Sequence, residues 1–291
     1  MRDVQGEHVS NSFRLTRVGV RGVAKPVQVR RPTKTTTLTV VFDVFVDVPA
    51  TQRGAHLSRN LEVVGEVVDT SVRTPVAGLE DLAAEIARET LRRHEYATTS
   101  EVSASADYFL ERTSPWGRRS LEPYRIVAKA MARRGPPVEV HRAIGVEVVG
   151  MTACPCAMET IRAELGPSVA GGGADTLPVM SHNQRNRTTL VVDVDGTDVD
   201  ADDLIGIVEG SMSAPTYELL KRPDEARLVR LAHEHPKFVE DVVRDVLAAL
   251  LARYPDLPEV ARVSVRSESE ESIHKHNAFA ERTTTVRELR G

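Results

Sequence analysis

Within ten residues near the end of the chain, Glu268-Ser-Glu-Glu271-Ser-Ile-His274-Lys-His276-Asn277 gathers carboxylates and two imidazoles. If the segment is extended, side chains alternate, so His274 and His276 share one side and Glu271 lies opposite unless a bulge re-aims it. On a helical turn Glu271 and His274 converge instead. Either way, a carboxylate and an imidazole three residues apart make half of a metal site, and the other half must come from elsewhere. The bland alternative is a solvated, charged strand. The chain's only cysteines, Cys154 and Cys156, are separated by Pro155 alone. That spacing is poor for a mutual disulfide and fits thiolate chemistry or metal ligation better. With His182 in the polar run Ser181-His182-Asn183-Gln184-Arg185, the chain offers thiolate, imidazole and carboxylate donors from three separate places. Such a mixture suits zinc or ferrous iron. A structural zinc would close its shell with four protein ligands, whereas a catalytic one leaves room for water. The residues alone leave both open.

Three further stretches carry charge in useful places. Gln52-Arg-Gly-Ala-His56-Leu-Ser58-Arg59 is a glycine turn with basic and hydroxyl side chains leading into a helix, suited to an anion or to plain capping. Tyr217 to Glu225 combines Lys221 and Arg222 with Asp224 and Glu225. Glu240 falls at the start of a helical pattern, where a carboxylate ordinarily offsets the helix dipole. A carboxylate there is also able to take the paired N–H donors of a guanine edge.

Periodicity indicates the elements that must position these groups. Leu15–Val23 and Leu38–Asp47 read as strands, and a helix runs on from the glycine turn through Val68. Leu79, Leu82, Ala83, Ile86, Ala87, Thr90 and Leu91 follow helical spacing and end near His94. Residues 102–110 and 138–148 alternate as half-buried strands, joined by a link from Arg112 to Pro137. A short helix to Leu165 and the loop Gly171-Gly-Gly173 lead back to His182. The pattern then restarts with a strand at 188–194, a helix opening at Asp202, a long amphipathic helix from Phe238 to Leu251, and strands at 260–265 and 276–286. The reading is two ββααββ units, an α+β internal repeat divided as residues 1–130 and 131–291.

A chain of 291 residues with 41% hydrophobic content can fill a substantial core. Its formal charge of −4 is spread through interspersed acids and bases, which argues against nucleic acid as a partner. Neither a membrane span nor a signal peptide is visible, so the expected location is cytoplasmic.

Taken together, Gly150-Met-Thr-Ala-Cys154-Pro-Cys156, Ser181-His182-Asn-Gln-Arg185, Leu219-Leu-Lys-Arg-Pro-Asp-Glu225, Pro236-Lys-Phe-Val-Glu240-Asp241 and Glu271-Ser-Ile-His274-Lys-His276-Asn-Ala278 resemble the motif series of type IB GTP cyclohydrolase, in order and along nearly the whole chain. His56-Leu-Ser58-Arg59 and His94-Glu-Tyr-Ala-Thr98 agree as well, the latter resembling the archaeal branch that feeds methanopterin synthesis. Arg53 departs from the pattern, which has lysine there, and the two cations are not interchangeable at a phosphate.

The resemblance implies a tandem tunnelling fold, with antiparallel sheets and helices on one face, in a homotetramer with interfacial sites. It implies one divalent metal (Fe2+, Zn2+ or Mn2+) held by Cys154, His182, Glu271 and His274. Glu240 would anchor guanine, and His276 and Glu225 would move protons. His56, Ser58, Arg59, Arg185, Lys221 and Arg222 are the candidate triphosphate contacts. The implied reaction opens the imidazole ring of GTP, releases formate and closes a dihydropterin. The wider family leads to 7,8-dihydroneopterin triphosphate as the expected product, and the archaeal branch to the 2′,3′-cyclic phosphate as the alternative. A purine- or pterin-binding protein without turnover and a structural zinc protein are the readings from other classes.

Overall fold

The structure, a computed structural model, describes residues 3–8, 10–30, 35–165 and 179–291. The Gly171-Gly-Gly173 loop lies outside the described residues. Among the described residues the chain forms an α+β fold with an antiparallel sheet of nine strands and with seven helices. It divides into two compact units that interleave along the sequence, one of residues 1–108, 125–144 and 193–196, the other of residues 109–124, 145–192 and 197–291.

In the first unit β1 (Leu15–Arg30) pairs antiparallel with β2 (Thr35–Val48), and β2 with β3 (Thr99–Thr113). Every second residue of β2 from Leu38 to Val48 is buried, as a strand with one face on a core requires. Helices α1 (Leu57–Arg73) and α2 (Leu79–Arg93) pack on each other, α1 also on β1 and α2 on β2. The α2 stripe of Leu79, Leu82, Ala83, Ile86, Ala87 and Leu91 is buried, each larger side chain contributing about 1.5–3 kcal/mol. Buried Asp47 ties β2 to the start of β3, accepting from the N–H groups of Thr98 and Thr99, both at 2.7 Å, and from Arg14 at 2.7 Å.

The link between Arg112 and Pro137 contains a strand that periodicity passed over, β4 (Arg119–Arg133). Half of its buried face is Ala128, Ala130 and Ala132, and Pro123 lies within it on the exposed side. Alanine and proline are both depleted in strands, which explains the omission.

The second unit is built on β5 (Glu139–Ala153, from Gly145 onward), β6 (Asn183–Asp193), β8 (Arg262–Ser269) and β9 (Ala278–Thr285). β6 pairs antiparallel with β8, and β8 with β9, while the two-residue β7 (Ala214–Pro215) pairs with β5. Gly150 eases that last approach, because a Cβ there would crowd the Ala214 carbonyl at 3.1 Å and press on the Met212 side chain. Helices α3 (Pro155–Leu165), α4 (Ala201–Gly210), α5 (Arg222–Glu234), α6 (Val239–Arg253) and α7 (Val286–Arg290) complete the unit. α6 packs on β8 and β9 through Val242, Val243, Val246, Leu247 and Leu250.

The inner face of the β6–β8 pair changes character along its length. Leu190, Val192, Val263 and Val265 form an apolar end, whereas Asn186, Thr188, Ser267 and Ser269 are equally buried but polar. The polar end is internally satisfied. Asn186 Nδ2 donates to Ser267 Oγ at 2.9 Å and Ser269 Oγ at 3.0 Å, and its Oδ1 accepts from Thr188 Oγ1 at 2.7 Å. Among the described residues no helix is long and apolar enough to cross a membrane.

A candidate active site

At that polar end lies a pocket of about 310 Å³, lined by Cys154, His182, Gln184, Glu240, Glu271, His274 and His276, with Phe238 and Phe279. Three chain turns meet there. β5 ends at Ala153 and α3 begins at Pro155, a residue suited to the first helical position. Cys154 therefore occupies the cap, where its Sγ accepts from the N–H of Ala157 at 3.4 Å. Its own N–H donates to the carbonyl of His182 at 3.1 Å, which fastens the thiol-bearing turn to the residue just before β6. Cys156, one position into the helix, is exposed.

The third turn is the β8–β9 connection, residues 270–277. It is a loop of bends, neither of the two regular geometries considered from the sequence, and the strand expected from His276 begins at Ala278. His274 and His276 stack with ring centroids 5.2 Å apart, and the ring of His182 stands edge-on to His274 at 6.4 Å. Glu271 Oε2 is 3.7 Å from His182 Nδ1. Gln184, within β6 rather than in the polar loop expected there, contacts both His182 and Glu271. Glu240 is exposed in the first turn of α6.

The donor set, one thiolate, two imidazoles and a carboxylate, fits a divalent ion of borderline softness. The shell is open as the side chains stand. Among the described residues no group of three or more His, Cys, Asp or Glu is placed to hold an ion. Two imidazoles sharing one ion at about 2.0–2.1 Å would put their ring centroids roughly 5–6 Å apart, so the His182–His274 spacing of 6.4 Å must shorten. His274 sits exposed in a loop, where such an adjustment is cheap.

The remaining candidates lie elsewhere. Glu225, Lys221, Arg222 and Arg185 are exposed and do not line the pocket. Lys221 precedes α5, a helix not anticipated from periodicity because most of its surface is charged, and Asp224 beside it is buried against Arg118. His56, Ser58 and Arg59 belong to the first unit, where His56 Nε2 meets Asp3 at 3.0 Å and Arg59 donates to the Arg93 carbonyl at 2.8 Å. Sequence reasoning passed over Gln184, and also His233, which is buried with Nε2 2.9 Å from the Ser181 carbonyl and so braces the turn before His182. A lone histidine on the apolar side of α5 was the available signal.

Comparison with solved structures gives the class first. The chain superposes on uricase from Arthrobacter globiformis with a TM-score of 0.55 at 9% identity, covering 93% of each chain, which shows a common fold and no more. A pocket rich in metal-type donors, set in a uricase-like α+β fold, is thus the kind of protein this is. The chain belongs to the family described as type I GTP cyclohydrolase folE2, which it matches over residues 1–280. Among curated relatives, it is 43% identical to GTP cyclohydrolase MptA 2 of Methanocella arvoryzae, over 99% of this chain and 97% of that protein. It is 42% identical to GTP cyclohydrolase MptA of Methanothermobacter thermautotrophicus, over 99% and 94%.

Proposed function

We propose that this protein is a metal-dependent GTP cyclohydrolase that opens the imidazole ring of the guanine base and releases formate. The observation that carries this reading is a single pocket holding Cys154, His182, Glu271 and His274 beside Glu240 and His276. The first four would hold one divalent ion, Fe2+, Zn2+ or Mn2+. The chemistry such an ion supplies when bound is a water activated as nucleophile at neutral pH.

The side chains account for the rest. Glu240 accepts from the ring and amino N–H groups of guanine and so fixes the base in one orientation. Phe238 and Phe279, both partly exposed on the pocket wall, offer apolar surface to the purine faces. His276, its ring stacked on His274, delivers the proton that the departing ring nitrogen needs, a contribution of about 10²–10⁴-fold. His56, Ser58 and Arg59 are proposed phosphate contacts. Arg185, Lys221, Arg222 and Glu225, exposed outside the pocket, would reach a site from a neighbouring copy in a homotetramer with interfacial sites. The order β1, β2, α1, α2, β3, β4 supports a first ββααββ repeat. A second, interrupted by α3, α4 and β7, would run from β5 and β6 through α5 and α6 to β8 and β9.

The relatives named MptA at 39–43% identity favour the archaeal-branch product, 7,8-dihydroneopterin 2′,3′-cyclic phosphate, over the triphosphate expected from the wider family. Incubating metal-loaded protein with GTP and assaying formate beside pyrophosphate decides the matter. Equimolar release of both supports the cyclic phosphate. Formate alone returns the assignment to the triphosphate, and absence of formate refutes the cyclohydrolase reading.

A further inference from the structure

Gln184 is the second residue of β6 and is 9% exposed. The β6–β8 register pairs Asn186 with Ser269, and the N–H of Glu270 continues it onto the carbonyl of Arg185 at 2.8 Å, so Gln184 faces Glu271 across the strands. Its carboxamide has two unlike ends, and both are engaged. Oε1 is 2.9 Å from His182 Nδ1, while Nε2 is 3.3 Å from Glu271 Oε1 and 3.4 Å from Thr152 Oγ1.

We infer that Gln184 is a positioning residue that sets the tautomer of His182 and the orientation of the Glu271 carboxylate at once. The inference rests on the reading of those two side chains as metal ligands. Reversing the amide would set Oε1 against the carboxylate, acceptor against acceptor with no proton between them. Glu271 therefore dictates which way the amide points. With the amide oxygen on His182, Nδ1 carries the proton and the lone pair is left on Nε2, the nitrogen then available to an ion. Glu271 cannot take that proton itself, since 3.7 Å is beyond hydrogen-bonding distance. The amide is also held from behind. Thr152 is buried, its hydroxyl lies 3.0 Å from Ser269 Oγ, and Ser269 is bound in turn by Asn186, so Gln184 terminates a run of buried polar groups. A single side chain thus orients two ligands contributed by segments that flank different strands.

The test uses the full chain, with Zn2+ alone as the probe, titrated against a chromophoric chelator. Alongside it, 15N spectra of the histidine rings are recorded on the metal-free protein. In the wild type His182 is expected as the Nδ1–H tautomer. Gln184→Met should turn it into a mixture and weaken Zn2+ binding by about 10–100-fold, the usual cost of losing a ligand's outer partner. Thr152→Val, which removes only the anchor of the amide, should shift both readings the same way by less, and it stands in if Gln184→Met does not fold. An Nε2–H tautomer in the wild type overturns the inference. So does Zn2+ affinity within twofold of wild type in Gln184→Met with the tautomer unchanged. Wild-type protein that takes up no Zn2+ overturns the ligand assignment beneath it, a failure distinguishable from the loss of Gln184's role alone.

Discussion

Replacing Glu240 with glutamine separates recognition of the base from support of the fold. Glu240 is exposed in the first turn of α6 and makes no hydrogen bond or ion pair among the described residues, so its structural contribution is limited to offsetting the helix dipole. That effect is worth about 0.3–1 kcal/mol, which translates to no more than a few degrees in Tm for a chain of this size. Its proposed contacts with guanine are larger. Glutamine keeps one acceptor oxygen and turns the other into an NH2 that meets an N–H donor head on. One charge-assisted hydrogen bond, about 1.5–3 kcal/mol, is lost, and at roughly 1.4 kcal/mol per decade this lowers kcat/KM for GTP by about 10- to 150-fold. The assay is formate release under steady state with GTP and with inosine triphosphate, which lacks the amino group. Wild type should prefer GTP strongly, and Glu240→Gln should narrow that preference while Tm barely moves. A kcat/KM for GTP within threefold of wild type, with the preference unchanged, refutes the role.

Cys154→Ala should abolish both Zn2+ uptake and formate release, while Cys156→Ala keeps them, and metal analysis of the two purified variants checks the pair. The reverse pattern would make Cys156 the ligand. Chelation of the wild type should stop formate release, and Fe2+, Zn2+ or Mn2+ should restore it, as read by activity before and after dialysis. Burial opposes the charge on Asp47, but the N–H groups of Thr99 and Thr98, the Thr98 hydroxyl and Arg14 outweigh it and hold the carboxyl below the usual range. A depressed folded-state value contributes stability that is present above the unfolded value of about 3.9 and is lost as pH falls through the folded one. Asp47→Asn should therefore be less stable than wild type at neutral pH, with a flatter stability profile below about pH 4. Urea titrations across pH check this, and parallel acid limbs would contradict it.

Elements with one strong period were legible in the chain. The α2 stripe and the α6 residues from Val242 to Leu250 announce helices because burial demands the same spacing that the sequence displays. β4 was hidden because alanine carries little strand preference even where it is buried, and α5 because charged residues outnumber the apolar ones along it. The chemical types at the pocket were readable from Cys154, His182, Glu271 and His274, but their convergence depends on which strand ends lie side by side. Gln184 had no signature at all. An uncharged amide acquires its importance from what faces it across a strand pair, and that is a matter of register.

The buried amide and hydroxyls between β6 and β8 act as a ruler. Alternation has a period of two, so hydrophobic patterning forbids a slip of one residue and is indifferent to a slip of two. The polar end removes that indifference. In the native pairing Thr188 meets Ser267 and Leu190 meets Val265. Sliding two residues one way sets Thr188 against Val265, and sliding the other way sets Leu190 against Ser267, so hydroxyls lose their partners in both directions. The same slide would displace Glu271 by about 7 Å along the strand relative to His182. A strand pair sealed with leucine and valine throughout could close in the wrong notch and still look well packed, with its acid and its imidazole out of reach of each other.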